Sequence, residues 1–346
     1  AIFIYKIYSI FGYALLSVIF LIIFTLSFII LIKKERFFYC LFPVCLGYLA
    51  TTGFLGIRPQ LLSVFFIALL LIILNKFLEN PSTKLIYFCP ILFLIWANIH
   101  SGFFIGLFLI FLIIVLEIFK KAKLFKKLIY LRFFSGQSFD EPSNKKIKVL
   151  SIIFIFSIIF TFINPYGPRL YEQIFSVLGD SFLKSHIIEW QPLFSTSPIQ
   201  YSIFIVLYLI FFLTLVIVFH KKINFDKIII SLIFLLSAIS SQRNILIFII
   251  FTVPIFSELI FYYRNTENLE QIEIVFGGFK KWILISVIFG LFIYGFYPYF
   301  IHNIKAKGYN SYPIKAVSFL KTLPLSENIF NEYNWGGYLI WKLPER

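Results

Sequence analysis

The sequence contains no methionine, only three cysteines, and half as many acidic as basic residues: 16 Asp and Glu against 31 Lys and Arg. Because there is no initiator methionine and Ala1 opens directly into apolar sequence, we expect the start of the natural chain to be missing, and the absence of a signal peptide then means little. Cys40, Cys45 and Cys89 all lie in apolar runs. Their odd number and their spacing argue against both a disulfide framework and a cysteine metal site.

Motifs for nucleotide-driven chemistry are also missing. The chain has no Gly-rich phosphate loop, nucleophile elbow or metal-ligand cluster. We therefore expect neither ATP-driven chemistry nor a bound cofactor, and the sequence leaves the use of a divalent metal open. The formal charge of +15 does not indicate nucleic-acid binding, because no soluble basic face is available and lysines beside anionic lipid account for most of it.

Hydrophobic residues make up 60% of the chain and fall into long runs. A bilayer-spanning helix needs about 20 apolar residues, so the runs predict an all-α polytopic membrane protein with about ten transmembrane helices. We place a transmembrane domain at residues 1–301 and a second domain at 302–346. The predicted spans are 10–32, 37–57, 61–78, 85–98, 102–119, 149–163, 201–219, 228–241, 245–263 and 282–301.

Basic residues alternate between the connections of these runs. Twenty of the 31 lie in the connections at 33–36, 76–84, 120–148, 221–227 and 264–281. The intervening connections hold only Arg58, Arg169, Lys184 and Arg243. The positive-inside rule then places the 120–148 loop in the cytoplasm and both ends of the given chain on the extracytoplasmic side. The outer 164–200 loop has the alternating pattern of an interfacial amphipathic helix.

The last residues predict a different kind of structure. Ala316–Leu320 has helical character, and Leu325–Trp341 has the pattern of a strand, a turn and a second strand. Asn334–Gly337 is a strong turn signal between the two strands. One helix and two short strands cannot bury a core alone. We therefore expect the beginning of an extracytoplasmic α/β domain whose remainder is missing.

Polar residues collect in the connections on the predicted outer side. Polar groups held at membrane depth are costly, so they are candidates for function. The candidate site residues are Arg58, Gln60, Asn98, His100, Asn164, Glu189, Gln242 and Arg243.

Two readings are open for each of the principal candidates. Arg58 and Arg243 either extend to lipid headgroups or bind a phosphate, for which a guanidinium offers paired donors. His100 is either a structural histidine or a catalytic or phosphate-binding one. Glu189 is either an exposed loop residue or a carboxylate for proton transfer. Gln60, Asn98, Asn164 and Gln242 are candidate supporting residues.

Other polar and aromatic residues favour structural roles. Trp96 and Trp190 are interpreted as interfacial belt residues. Glu117 and Glu258, near cytoplasmic ends of spans, are expected to extend toward the interface. The small residues at 102 and 106 predict close helix packing.

Five motifs occur in a characteristic order: Arg58–Gln60, Trp96–Phe103, Asn164–Gly167, Glu189–Trp190 and Trp335–Leu339. This set resembles a family of large bacterial membrane proteins that is classed, by distant similarity, with the GT-C glycosyltransferases. The resemblance runs from about residue 58 to residue 341, and Ser101 stands where a glycine is expected.

The resemblance implies a fold of many spans, an active site on the outer face, and transfer of a sugar from a polyprenyl-phosphate carrier to an acceptor. It implies that Arg58, His100 and Arg243 contact the lipid phosphate. In GT-C enzymes the catalytic base lies in the first outer loop, which here would precede Ala1. Glu189 is the acidic residue that the given chain itself offers. The implied partners are membrane lipid, the lipid-linked sugar and an unidentified acceptor, in the bacterial cytoplasmic membrane.

Two other function classes stay open. A transporter or flippase for a lipid-linked or anionic solute would have polar residues along a path through the membrane and an internal repeat. The sequence shows neither feature. A non-catalytic membrane scaffold that presents an outer α/β domain is the third class.

Overall fold

A computed structural model describes residues 2–32, 37–121, 143–194, 202–220, 223–266, 313–323, 329–332 and 335–343. The chain divides into two compact units, Ala1–Phe292 and Ile293–Arg346. The predicted tenth span (282–301), the predicted boundary at residue 301 and most of the 120–148 loop lie outside the described residues.

All regular elements of the described part of the first unit are helices. Short 3-10 helices cover Thr52–Phe54, Lys84–Phe88, Ile188–Trp190 and Gln242–Asn244. The α-helices are α1 (Ile2–Ile29), α2 (Phe37–Thr51), α3 (Pro59–Glu79), α4 (Cys89–Ala97), α5 (Phe103–Phe119), α6 (Asn144–Thr161), α7 (Arg169–Gly179), α8 (Ser181–His186), α9 (Ser202–Phe219), α10 (Phe225–Ser240) and α11 (Ile245–Thr266).

The all-helical prediction is therefore confirmed for the described part of this unit. Two helices, Ile4–Ile29 and Pro59–Glu79, are long and apolar enough to cross a membrane, as judged by length and composition. Shorter apolar helical stretches of 10 to 17 residues in the described ranges are Cys40–Phe54, Lys84–Ala97, Phe103–Phe119, Ile203–Phe219 and Gln242–Phe256. The prediction for the 164–200 loop is confirmed in its helical character, since α7 and α8 occupy it.

The helices have apolar side chains both inside and outside the bundle. Phe24 and Phe28 of α1 are buried and pack their rings against Tyr48 of α2. By contrast, Ile155 of α6 and Ile217 of α9 are exposed on the outer surface. Apolar side chains facing outward from apolar helices are compatible with a membrane environment, because lipid imposes no cost on their exposure.

The described helix ends fall into two groups at opposite ends of the bundle. One group, which we call the Arg58 end, joins the start of α3 to the 188–193 segment and the connection between α10 and α11. The other, which we call the Lys120 end, joins the end of α5 to the starts of α6 and α10. Helix α5 alone separates the two ends by about 25 Å, at 1.5 Å per residue.

The second unit is helical where it is described, so the prediction of two strands is wrong for those residues. Helices α12 (Ile314–Leu320) and α13 (Gly336–Lys342) form it, and Ile329–Glu332 is irregular. Tyr338, Leu339 and Leu343 are buried together with Val317. Together with the partly buried Trp335, which packs against them, they are spaced by three and four residues, as on one face of a helix, whereas a strand would bury every second residue. The apolar run after Gly337 is compatible with both patterns, and packing against α12 decides for the helix.

Candidate functional site

Arg58 and Glu189 form an ion pair at the Arg58 end. Arg58 is the N-cap of α3, and Pro59 at the first helical position fixes the backbone there. Glu189 belongs to the 3-10 helix between α8 and α9. The side chains are 44% and 30% exposed, so both remain accessible to a ligand from outside the bundle.

Arg243 lies in the 3-10 helix between α10 and α11. Its guanidinium carbon is 4.4 Å from the ring centroid of Trp190, a cation–π contact. Burial lowers the pKa of Arg243, the charge of Glu189 raises it and the charge of Arg58 lowers it. An arginine keeps its charge despite such a shift. The two guanidinium groups are therefore close enough to repel each other, and the Glu189 carboxylate attracts both of them.

His100 lies in the turn between α4 and α5 and contacts α3. Its Nδ1 is 2.8 Å from the hydroxyl oxygen of Ser63, and the backbone N–H of Gly102 donates to the same nitrogen at 3.0 Å. The indole N–H of Trp96 donates to the Ser63 hydroxyl at 2.8 Å. Within the described ranges, Nε2 of His100 makes no hydrogen bond.

The electrostatic environment of His100 favours the neutral ring. Burial, followed by the charge of Arg243, lowers the pKa of His100 from 6.5 to about 4. His100 and Arg243 are thus within electrostatic reach of each other. At neutral pH the site contains two guanidinium cations, one carboxylate and one neutral imidazole, a balance of +1 that suits an anionic ligand.

The structure thus brings together the four principal residues that the sequence singles out: Arg58, His100, Glu189 and Arg243. Glu189 contacts Arg58 directly, the adjacent Trp190 contacts Arg243, and Arg243 acts electrostatically on His100. Each residue comes from a different connection between helices. The roles of these residues as catalytic or phosphate-binding groups remain predictions.

The four supporting residues have more structural surroundings. The buried Gln242 donates its amide to the carbonyl of Pro192 at 3.1 Å, and its backbone N–H donates to the carbonyl of Gln191 at 3.0 Å. These bonds fasten the segment that carries Glu189 to the connection between α10 and α11. Gln60 is half-buried in the first turn of α3.

Asn98 and Asn164 brace helix ends. The Asn98 amide donates to the carbonyls of Leu94 and Ile163, both at 2.8 Å, and so joins the end of α4 to the end of α6. The Asn164 amide donates to the Thr161 carbonyl at 2.7 Å, and its oxygen accepts the N–H of Tyr166. These bonds hold the turn after α6.

Trp96 does not lie at an interface, so its interpretation as a belt residue is wrong. It is fully buried and stacks on Phe66 and Phe93, with ring centroids 5.5 Å and 5.7 Å away. Trp190 instead covers Arg243. Sequence reasoning also missed Ser63, the hydroxyl between Trp96 and His100. The available signal was a lone small polar residue inside the apolar run of α3.

A second polar cluster lies at the Lys120 end. Lys120 bonds to Glu117, at 2.8 Å, and to Asp226, while Lys227 pairs with Glu258. Glu117 is buried, so the expectation that it extends to the interface is wrong; its partner Lys120 lets it stay inside. A cavity of about 140 Å³ opens among α3, α5, α6, α10 and α11 beside this cluster.

The described ranges contain no group of three or more His, Cys, Asp or Glu side chains placed to hold a metal ion. Comparison of the chain with protein-family models, curated proteins and solved structures finds no match.

Proposed function

We propose that the protein is a membrane glycosyltransferase that transfers a sugar from a polyprenyl-phosphate donor to an acceptor at the extracytoplasmic face. The observation that carries the proposal is the assembly of Arg58, Arg243, His100 and Glu189 at one end of the helical bundle. An anion-binding set beside apolar helices suits a ligand with a charged head and a hydrocarbon tail. The family resemblance suggests the chemistry, and the proximity of the four side chains supports this end of the bundle as the proposed site.

The two arginines are the proposed phosphate ligands. A guanidinium donates to two phosphate oxygens at once and stabilises the negative charge that develops on the leaving phosphate. Arg58 is partly exposed and can reach a ligand, whereas Arg243 is held in place by Trp190. In this arrangement Arg243 fixes the phosphate and Arg58 completes its coordination.

Binding of the phosphate would change the partner of Glu189. In the ligand-free site the Glu189 carboxylate is paired with Arg58. A phosphate on Arg58 competes for that guanidinium and releases the carboxylate to accept the proton of an acceptor hydroxyl. The acceptor oxygen then bonds to the anomeric carbon, the bond from that carbon to the phosphate oxygen breaks, and the polyprenyl phosphate leaves with the electron pair. Glu189 is the base that this chain offers, beside any base upstream of Ala1.

The proposal includes the topology predicted from the basic residues. The protein would cross the bacterial cytoplasmic membrane about ten times, with the Arg58 end outside and the Lys120 end inside. The two clusters lie at opposite ends of α3, α5 and α10, as a topology with two polar faces requires, and the orientation itself rests on the basic residues. The orientation is tested with the single substitutions Gln60→Cys and Lys145→Cys and a thiol reagent that cannot cross the membrane. In intact cells only the cysteine at position 60 should be labelled.

The activity is tested by sugar transfer with the whole protein in proteoliposomes and a polyprenyl-phosphate sugar as donor. Arg58→Ala and Arg243→Ala should each reduce transfer by at least about tenfold, the effect of one hydrogen bond to a charged group. Arg169→Ala is the matched control. Arg169 is another arginine of the predicted outer connections, but it lies at the start of α7 and is not one of the four residues of the proposed site. Full activity in both of the first two variants would remove the argument for a phosphate site.

A transporter or flippase is the second candidate, and one observation favours it. The Lys120 cluster and its cavity lie at the opposite ends of the same helices that carry the Arg58 site, so buried polar groups are not confined to one end. Flux of a lipid-linked solute in proteoliposomes, without any covalent product, would favour this reading over sugar transfer.

A further inference from the structure

The hydrogen bonds of Ser63 and Gly102 determine which ring nitrogen of His100 carries the proton. An indole nitrogen can only donate, so the Ser63 oxygen accepts the hydrogen of Trp96. The Ser63 hydroxyl hydrogen is then left to donate to Nδ1 of His100, which is 2.8 Å from the hydroxyl oxygen. The backbone N–H of Gly102 also donates to Nδ1. Nδ1 therefore faces two donors and must be the unprotonated nitrogen.

The proton of the neutral ring consequently lies on Nε2. We infer that Ser63 is a positioning residue that holds His100 as the Nε2–H tautomer and so makes Nε2 a hydrogen-bond donor for an anionic oxygen. In this arrangement His100 does not serve as a general base, because its lone pair is already engaged on the Nδ1 side. That the anionic oxygen belongs to the phosphate of the sugar donor rests on the proposed function.

The neighbours of Ser63 are built to keep this orientation. Trp96 is fully buried between two phenylalanine rings, so its N–H has a fixed direction. Gly102 allows the close approach of α5: a Cβ atom there would lie 2.8 Å from the Ser63 Cβ and 2.9 Å from the His100 Nδ1. A rigid indole, a hydroxyl and a backbone amide thus hold one imidazole, the kind of supporting shell that a functional side chain needs.

The tautomer can be measured directly by nitrogen NMR. The protein is labelled with ¹⁵N-histidine and reconstituted in lipid nanodiscs, and the other three histidines are replaced by glutamine so that one ring remains. At pH 7 we expect a protonated Nε2 and an unprotonated, hydrogen-bonded Nδ1. Ser63→Ala should move the Nδ1 resonance toward that of a weakly bonded ring nitrogen. An Nδ1–H tautomer in the native protein, or an unchanged resonance in Ser63→Ala, would overturn the inference.

A double variant separates positioning from simple stability. Ser63→Ala leaves the buried Trp96 N–H without its acceptor, and this should lower the melting temperature. Adding Trp96→Phe removes that unsatisfied donor and should restore part of the melting temperature, although the smaller ring leaves a cavity in the core. Sugar transfer should remain about tenfold lower in both variants, which corresponds to about 1.4 kcal/mol. Recovery of transfer together with stability in the double variant would show a merely structural role and refute the inference.

The two hypotheses can fail separately. If the native protein transfers no sugar but Ser63→Ala moves the Nδ1 resonance as expected, the proposed function fails and the positioning role of Ser63 stands. If transfer occurs and responds to Arg243→Ala, but His100 is found as the Nδ1–H tautomer, the proposed function stands and the role of Ser63 fails.

Discussion

Substitution of Gly102 by alanine tests the packing of the candidate site, because the packing decides whether the free energy of unfolding rises or falls. The Gly102 backbone has φ −59° and ψ −13°, which alanine adopts without strain. Without neighbours, the change would stabilise the protein by about 0.4–1 kcal/mol, because alanine restricts the unfolded chain. The added Cβ, however, would lie 2.8 Å from the Ser63 Cβ and 2.9 Å from the His100 Nδ1.

Neither neighbour can move cheaply. The Ser63 Cβ is attached to the backbone of α3, and the His100 ring is held by two hydrogen bonds. Inserting a methyl group into such a contact costs about 1–3 kcal/mol. At the middle of both ranges the steric cost of about 2 kcal/mol exceeds the entropic gain of about 0.7, so Gly102→Ala should destabilise the protein by about 1.3 kcal/mol.

The assay is reversible unfolding in mixed micelles, followed by tryptophan fluorescence. Gly179→Ala is the control, because Gly179 is also helical and a Cβ there meets nothing within 4 Å. The control should be neutral or slightly stabilising. Ser63→Gly combined with Gly102→Ala should lose less stability than the sum of the two single variants, since the two sites are in contact. A Gly102→Ala variant as stable as the Gly179→Ala control would refute the described packing of α5 on α3.

Three further predictions address charge. Lys120→Met removes the cation shared by the buried Glu117 and the largely buried Asp226, and should cost about 3–5 kcal/mol of stability in the unfolding assay. The exposed Lys145→Met should cost less than about 0.5 kcal/mol, and equal effects of the two substitutions would contradict the cluster. Because burial, then the charge of Arg243, lowers the pKa of His100 to about 4, the stability that His100 contributes is complete above about pH 6.5 and is lost as the pH falls through 4. His100→Asn should flatten the stability curve in that window, and an unchanged slope would count against burial of the ring. Arg243→Lys keeps the charge but loses the planar contact with Trp190, so transfer should fall about tenfold; full transfer would show that the guanidinium plane is unimportant.

The helices and the segregation of polar residues were predictable from the sequence. Apolar runs separated by short polar connections predict helices, and alternation of basic residues predicts which connections share an end. Arg58, Glu189 and Arg243 could be grouped in this way although they are far apart in the chain. The alternation of basic residues assigns each connection to one end of the bundle, but it does not predict which side chains at the same end are in contact.

The features that the sequence did not predict depend on tertiary contacts. Tryptophan is a residue type that favours membrane interfaces, yet Trp96 is enclosed by two phenylalanine rings. Ser63 is a single hydroxyl in an apolar run, and only its neighbours make it a hydrogen-bond donor to His100. The run around Leu339 is apolar enough for a strand or a helix, and its packing on Val317 decides for the helix.

The central claim is that the two arginines of the Arg58 end bind the phosphate of a polyprenyl lipid. The most direct measurement is the affinity of polyprenyl monophosphate for the whole protein in nanodiscs, measured by native mass spectrometry. The account predicts saturable binding that weakens at least tenfold, about 1.4 kcal/mol, in the Arg58→Ala/Arg243→Ala variant and persists in Arg169→Ala. Binding of equal strength in all three proteins, or binding by none of them, would contradict it.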